Sequence, residues 1–124
     1  MTDTIPAGTI VIQVKGIIGK AAIDRQSGKN LFNHIFTPLT EGRPVYLNFR
    51  GIGPVSTVFI NAAFGDLLAY FNREQVESLL TFENLNDLGW KLYGRVMRHA
   101  ERYYPNPEYQ ERVDQARAER AEED

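Results

Sequence analysis

A chain of 124 residues is too short for two full domains, so one compact domain with at most a short appendage is expected. Its composition, 43% hydrophobic, 11% aromatic and 24% charged, supports a real core and excludes a fibrous or wholly disordered protein. A net charge of -2 supplies no bulk positive field for nucleic acid, and the absence of cysteine excludes disulfides, thiolate zinc sites, iron–sulfur clusters and cysteine nucleophiles. The first apolar run, residues 9–14, falls far short of the roughly 20 residues a membrane span needs. No basic leader precedes it, so the protein is expected in the cytoplasm.

Residues 9–14 are rich in β-branched side chains between Gly8 and Gly16, the pattern of a strand, and Ile17 and Ile18 suggest the start of a second one. From Ser27, a candidate cap, the positions Leu31, Phe32, Ile35, Phe36 and Leu39 form a helical stripe that stops before Gly42 and Pro44. Residues 45–49 are almost wholly apolar, which predicts a central strand buried on both faces. Turn chemistry follows at Gly51, Gly53 and Pro54. A second helix, capped by Ser56 or Thr57, then carries Phe59, Ile60, Ala63, Phe64, Leu67, Leu68 and Phe71 at helical spacing.

Residues 79–82 read as a further strand, with Asn84 as the cap of a third helix and Asp87 completing a short-acid variant of the capping box. Leu85, Leu88, Leu92, Val96, Ala100 and Tyr103 form the apolar face of that helix, and close packing on the sheet would account for Gly89 and Gly94. Pro105 and Pro107 end it. The remainder, residues 105–124, carries seven acids and three arginines with almost no apolar side chains, a composition that cannot offset the entropy of ordering. The domain is therefore placed at 1–104 and an acidic tail at 105–124. Without the tail the body has eleven basic and nine acidic residues. Alternating strands and helices predict a small α/β layer, a mostly parallel or mixed sheet of three or four strands with about three helices.

The passage from Val45 through Arg50-Gly51-Ile52-Gly53-Pro54 and Ser56-Thr57-Val58-Phe59 to Leu68 resembles the STAS-like domains, relatives of the anti-sigma factor antagonists. The family pattern is an apolar strand ending in Asp-Phe-x-Gly-Val, a loop, a hydroxyl residue and a helix beginning with Phe. Here Asn48 stands at the aspartate position, and a one-residue shift of the alignment puts Val58 at the modified position. The resemblance covers about residues 9–104. It implies a non-enzymatic regulatory module that docks on a protein partner, commonly a kinase-like ATPase. It also implies a phosphoacceptor hydroxyl at Ser56 or Thr57. The docking edge is then the loop and helix start, with Arg50, Gly51, Gly53, Phe59 and Asn61.

Read from the residues themselves, Ser56 and Thr57 are equally explained as helix caps. The segment between Gly51 and Phe64 holds no carboxylate, so its helix start is receptive to an anion. Gly51-x-Gly53 lacks the remaining features of a nucleotide loop and reads as a turn. Lys91, Arg95, Arg98 and Arg102 recur at spacings of four, three and four, forming a basic stripe on the third helix. That stripe is either a solvated face or a surface for an acidic partner, the chain's own tail or a nucleic-acid backbone. The second functional reading is accordingly an accessory subunit of a nucleic-acid-associated or defence complex. His34 and His99 have no companion at ligand spacing, so no metal and no cofactor are expected. Trp90 beside Lys91 suits either an interface or a second packing face. Residues 9–14, if they form an exposed edge, would offer a homodimer contact.

Overall fold

A computed structural model of the protein describes residues 7–104. The tail assigned to 105–124 lies outside the described residues. β1 (Ile10–Gln13), β2 (Val45–Asn48) and β3 (Leu80–Glu83) form a parallel sheet in the order β1-β2-β3. Parallel pairing requires crossovers. The first contains α1 (Val14–Ile18) and α2 (Arg25–Thr40). The second contains α3 (Thr57–Ala63), a 3-10 segment at Gly65–Ala69 and α4 (Arg73–Leu79), and α5 (Asp87–Tyr103) follows β3. The α/β layer is thus a three-stranded, wholly parallel sheet. The three anticipated helices are α2, α3 and α5, and two short ones flank them.

The pleat decides which side of the sheet is covered. Ile10, Val45 and Leu80 share one row, and Ile12, Leu47 and Phe82 share the next row on the same face. This face packs beneath the helices, with Phe82 edge-on to Phe64 at 5.2 Å and to Tyr93 at 5.1 Å. The opposite rows, Val11-Tyr46-Thr81 and Gln13-Asn48-Glu83, remain open, with Val11 51% exposed. β2 is central as its composition indicates, but only one of its faces is buried, because the helices share a single side. Full burial of Phe49, Phe59 and Phe64 on the covered side contributes roughly 2–3 kcal/mol each.

Several boundaries differ from the sequence pattern. Ile17 and Ile18 belong to α1 rather than to a strand, since the chain turns helical directly after Gln13. Asp24, not Ser27, caps α2, accepting the Ser27 backbone N–H at 2.8 Å. The apolar stripe from Phe59 to Leu68 is buried throughout, but the helix stops at Ala63. Gly65 then brings the backbone close to Val96, whose Cγ1 lies 2.9 Å from where a Cβ would stand. α4 has a single buried residue, Val76, so no apolar periodicity announces it. Its local signal is a capping box between Asn72 and Gln75.

α5 is capped by Asn86, whose side chain accepts from the Gly89 N–H at 2.7 Å. Asn84 instead adopts a left-handed conformation, φ 62°, which asparagine tolerates, and donates to Asn48 Oδ1 at 2.9 Å. The buried stripe of α5 is Leu92, Tyr93, Val96, Met97 and Ala100, and Leu88 and Tyr103 of the anticipated apolar face are exposed. Gly89 packs beneath Leu85 and Gly94 meets only the Arg98 side chain, so neither is explained by the sheet. Trp90 serves a packing face, edge-on to Phe82 at 5.3 Å, while remaining 46% exposed. α4 is fastened to α5 by Arg73, which donates to Glu77 and Glu101 at 2.9 Å each, and by the Tyr93 hydroxyl, which donates to Glu77. Among the described residues, no helix is long and apolar enough to cross a membrane.

Candidate functional site

Two segments far apart in sequence run side by side before their helices begin. Ala22 and Val55 form a parallel bridge. The Ala22 N–H donates to the Pro54 carbonyl and the Ser56 N–H to the Ala22 carbonyl, both at 2.9 Å. This lattice holds the N-terminus of α2 beside that of α3, and thereby sets Arg25 near Thr57. α5 closes the other side. The result is a cleft of about 720 Å³ between α3 and α5, with Arg25 at its α2 end.

α3 contributes Thr57, Val58, Asn61 and Ala62 to the cleft, and the 3-10 segment contributes Asp66. From α5 come Arg95, Val96, Arg98, His99 and Arg102. Val58, Ala62 and Val96 supply apolar surface, and Val58 is 54% exposed despite its character. Four of the lining residues are arginines. The ion pairs among the described residues are those of Arg43 with Glu41 and of Arg73 with Glu77 and Glu101, and none includes an arginine of the cleft. Burial pushes the Asp66 carboxyl above its ordinary value, opposed by the positive charges of Arg25 and Lys29. Guanidinium groups are suited to bidentate capture of carboxylate or phosphate. Chemically, the cleft combines four arginines with apolar side chains and one acid, a lining whose charge suits an anion.

The two candidate hydroxyls have different surroundings. Ser56 is the cap of α3, accepting from the Phe59 N–H at 3.1 Å while its own hydroxyl donates to the Ile23 carbonyl. Thr57 is exposed and lines the cleft. Ser56→Ala is therefore expected to lose about 1–2 kcal/mol through the missing cap and the unsatisfied carbonyl. Thr57→Ala should stay within about 0.5 kcal/mol. Thermal melts of the two variants check this, and equal losses would contradict the assignment of the cap to Ser56.

Of the residues proposed as a docking edge, only Asn61 lines the cleft. Phe59 is fully buried and has no surface to offer a partner, because its ring fills the space beneath α3. Gly53 donates its N–H to the Lys20 carbonyl at 2.7 Å, and Gly51, at φ 82°, passes close over the Lys15 side chain. Both serve the turn. Arg50 is exposed but lies outside the cleft, and the cation beside Thr57 is Arg25. Within the basic stripe, Arg95, Arg98 and Arg102 enter the cleft and Lys91 does not. His34 meets the Asn30 carbonyl on α2, and His99 stacks on Tyr103. Arg25, Asp66 and His99 are site residues that spacing could not reveal, since the bridge and the 3-10 segment bring them in.

Residues 27–90 match the family described as a STAS-like domain of unknown function (DUF4325). The chain belongs to this family. No match was found among curated proteins or solved structures. The segment of the STAS-like domain that matches runs from α2 into the first turn of α5. It includes the α3 wall of the cleft, whereas Arg25, Arg95, Arg98 and Arg102 lie just beyond its ends.

Proposed function

We propose that this STAS-like domain is a non-enzymatic, cytoplasmic regulatory module whose cleft between α3 and α5 docks an acidic segment of a protein partner. Its support is a single juxtaposition: the helix start that the resemblance associates with docking shares one cleft with three arginines of the basic stripe. A partner of the kinase-like ATPase class suits this arrangement, because such a partner could also modify Thr57. A phosphate there adds roughly 1.5 to 2 negative charges and three acceptor oxygens, within the setting of Arg25 and the α5 arginines. It would compete for the guanidinium groups that hold the partner. Modification at Thr57 thus acts as the release step, and Ser56 keeps its structural role as the cap.

The second reading is recruitment of nucleic acid to the same arginines. Its support is the ring of His99 stacked on exposed Tyr103, 6.5 Å between centroids and 11° between planes, which is a surface for a base beside cations. Purification from the native host at low salt, followed by intact mass measurement, separates the two. A co-purifying protein whose release tracks one phosphate on Thr57 is the expected result. An unmodified chain carrying nucleic acid, with binding that falls steeply with salt, would overturn the switch.

A further inference from the structure

None of the four arginines of the cleft forms an ion pair among the described residues, and Asp66, whose carboxyl feels the charge of Arg25, is the one acid in the lining. Three of them follow α5 from Arg95 to Arg102, about 10 Å along the axis at the ordinary helical rise. Arg102 is two positions before Tyr104, the last described residue. Tyr104, the C-cap, has φ -118° and ψ 69°, so α5 ends there. Residues 105–124 continue from there with seven acids and three arginines. We propose that this acidic segment occupies the cleft in cis and competes with the partner. The proposal rests on the cleft being an anion receptor, but not on the partner's identity.

Reach favours this occupant. Glu108 lies four residues beyond Tyr104, a span of up to about 14 Å. Glu111 and Asp114 extend that further, covering the roughly 14 Å that separate Tyr104 from Arg95 along α5. Charge complementarity favours it as well, since acids outnumber arginines by four in that segment, while the cleft holds four arginines against the single acid Asp66. Individual exposed ion pairs are weak, which is where tethering decides the outcome. A short linker holds its ligand at an effective concentration on the order of 1 mM. If the free segment binds with Kd near ~0.1 mM, the tethered one fills the cleft about 90% of the time and weakens a competing anion about tenfold.

The test uses the full chain and a variant in which Glu108, Glu111, Glu119, Glu122 and Glu123 become Gln and Asp114 and Asp124 become Asn. A fluorescently labelled hexaglutamate peptide serves as the probe, read by anisotropy. The arginine Nε–Hε resonances of each protein are recorded alongside. The neutralised chain is expected to bind the probe about tenfold more tightly at low salt, with shifted Arg95, Arg98 and Arg102 signals. That difference should fade as salt screens the cleft. Equal probe affinity and unmoved arginine signals would overturn tail occupancy while leaving the cleft as a receptor. If neither protein binds the probe and the signals stay fixed, both proposals fall. Shifted signals without probe binding would uphold tail occupancy and remove the docking of acidic partners.

Discussion

Gly28→Ala should cost about 2 kcal/mol of stability, even though alanine is the better helix former. An ideal Cβ on Gly28 would stand 2.7 Å from the Ala62 Cβ and 2.7 Å from the Phe59 carbonyl oxygen. Neither neighbour is the end of a flexible side chain, so α2 would have to move away from α3. Overpacking of this kind typically costs 1–3 kcal/mol or more, against a propensity gain of about 1 kcal/mol. For a domain of this size the melting temperature should fall by roughly 4–8 °C per kcal/mol lost. Gly94→Ala supplies the opposite sign. Its Cβ would meet nothing nearer than an arginine Nη1 at 3.5 Å, so the propensity gain should appear as increased stability. If Gly28→Ala stabilised the protein as well, the close crossing of α2 on α3 would be disproved. The crossing also bears on function, because the same movement would carry Arg25 away from Thr57.

The order of strands and the long helices were legible because each leaves a repeating apolar signal. Val45 and Leu47 mark β2, with Phe49 continuing the alternation just past its end, and Leu31, Ile35 and Leu39 mark α2. What escaped the sequence was set by geometry at the ends of elements. Asn84 and Asn86 are chemically identical caps, and only the left-handed turn at Asn84 separates them. The covered side of β2 could not be read from its composition, since a one-sided layer and a sandwich both call for apolar residues on at least one face. At the cleft, Thr57, Asn61, Arg95, Arg98 and Arg102 were all visible as candidates, but as two separate features. Their convergence depends on α3 packing against α5, and no local spacing encodes that contact.

Reversing two charges in the cleft, Arg95→Glu together with Arg98→Glu, is expected to weaken hexaglutamate binding by at least about 100-fold while leaving the fold intact. Both side chains are exposed, and neither joins an ion pair among the described residues, so no structural contact is lost. The double change turns two attractions into repulsions, and close charge pairs at interfaces couple by about 1.5 kcal/mol or more each. Asp66→Asn should act in the opposite direction. Burial raises the Asp66 carboxyl in the folded state, so its contribution to stability is present below the unfolded carboxylate value and is lost as pH rises through the folded value. The ionised form of Asp66 therefore opposes folding and also repels an incoming anion. Asparagine fixes the uncharged form, so this variant should melt no lower than the parent at pH 7 and bind the probe more tightly. Raising the salt should shrink the change for Arg95→Glu/Arg98→Glu more than for Asp66→Asn, because Asp66 is the more shielded charge. Unchanged affinity in the charge-reversal variant, with a normal melt, would show that the anion binds elsewhere and that α3 and α5 meet for packing alone.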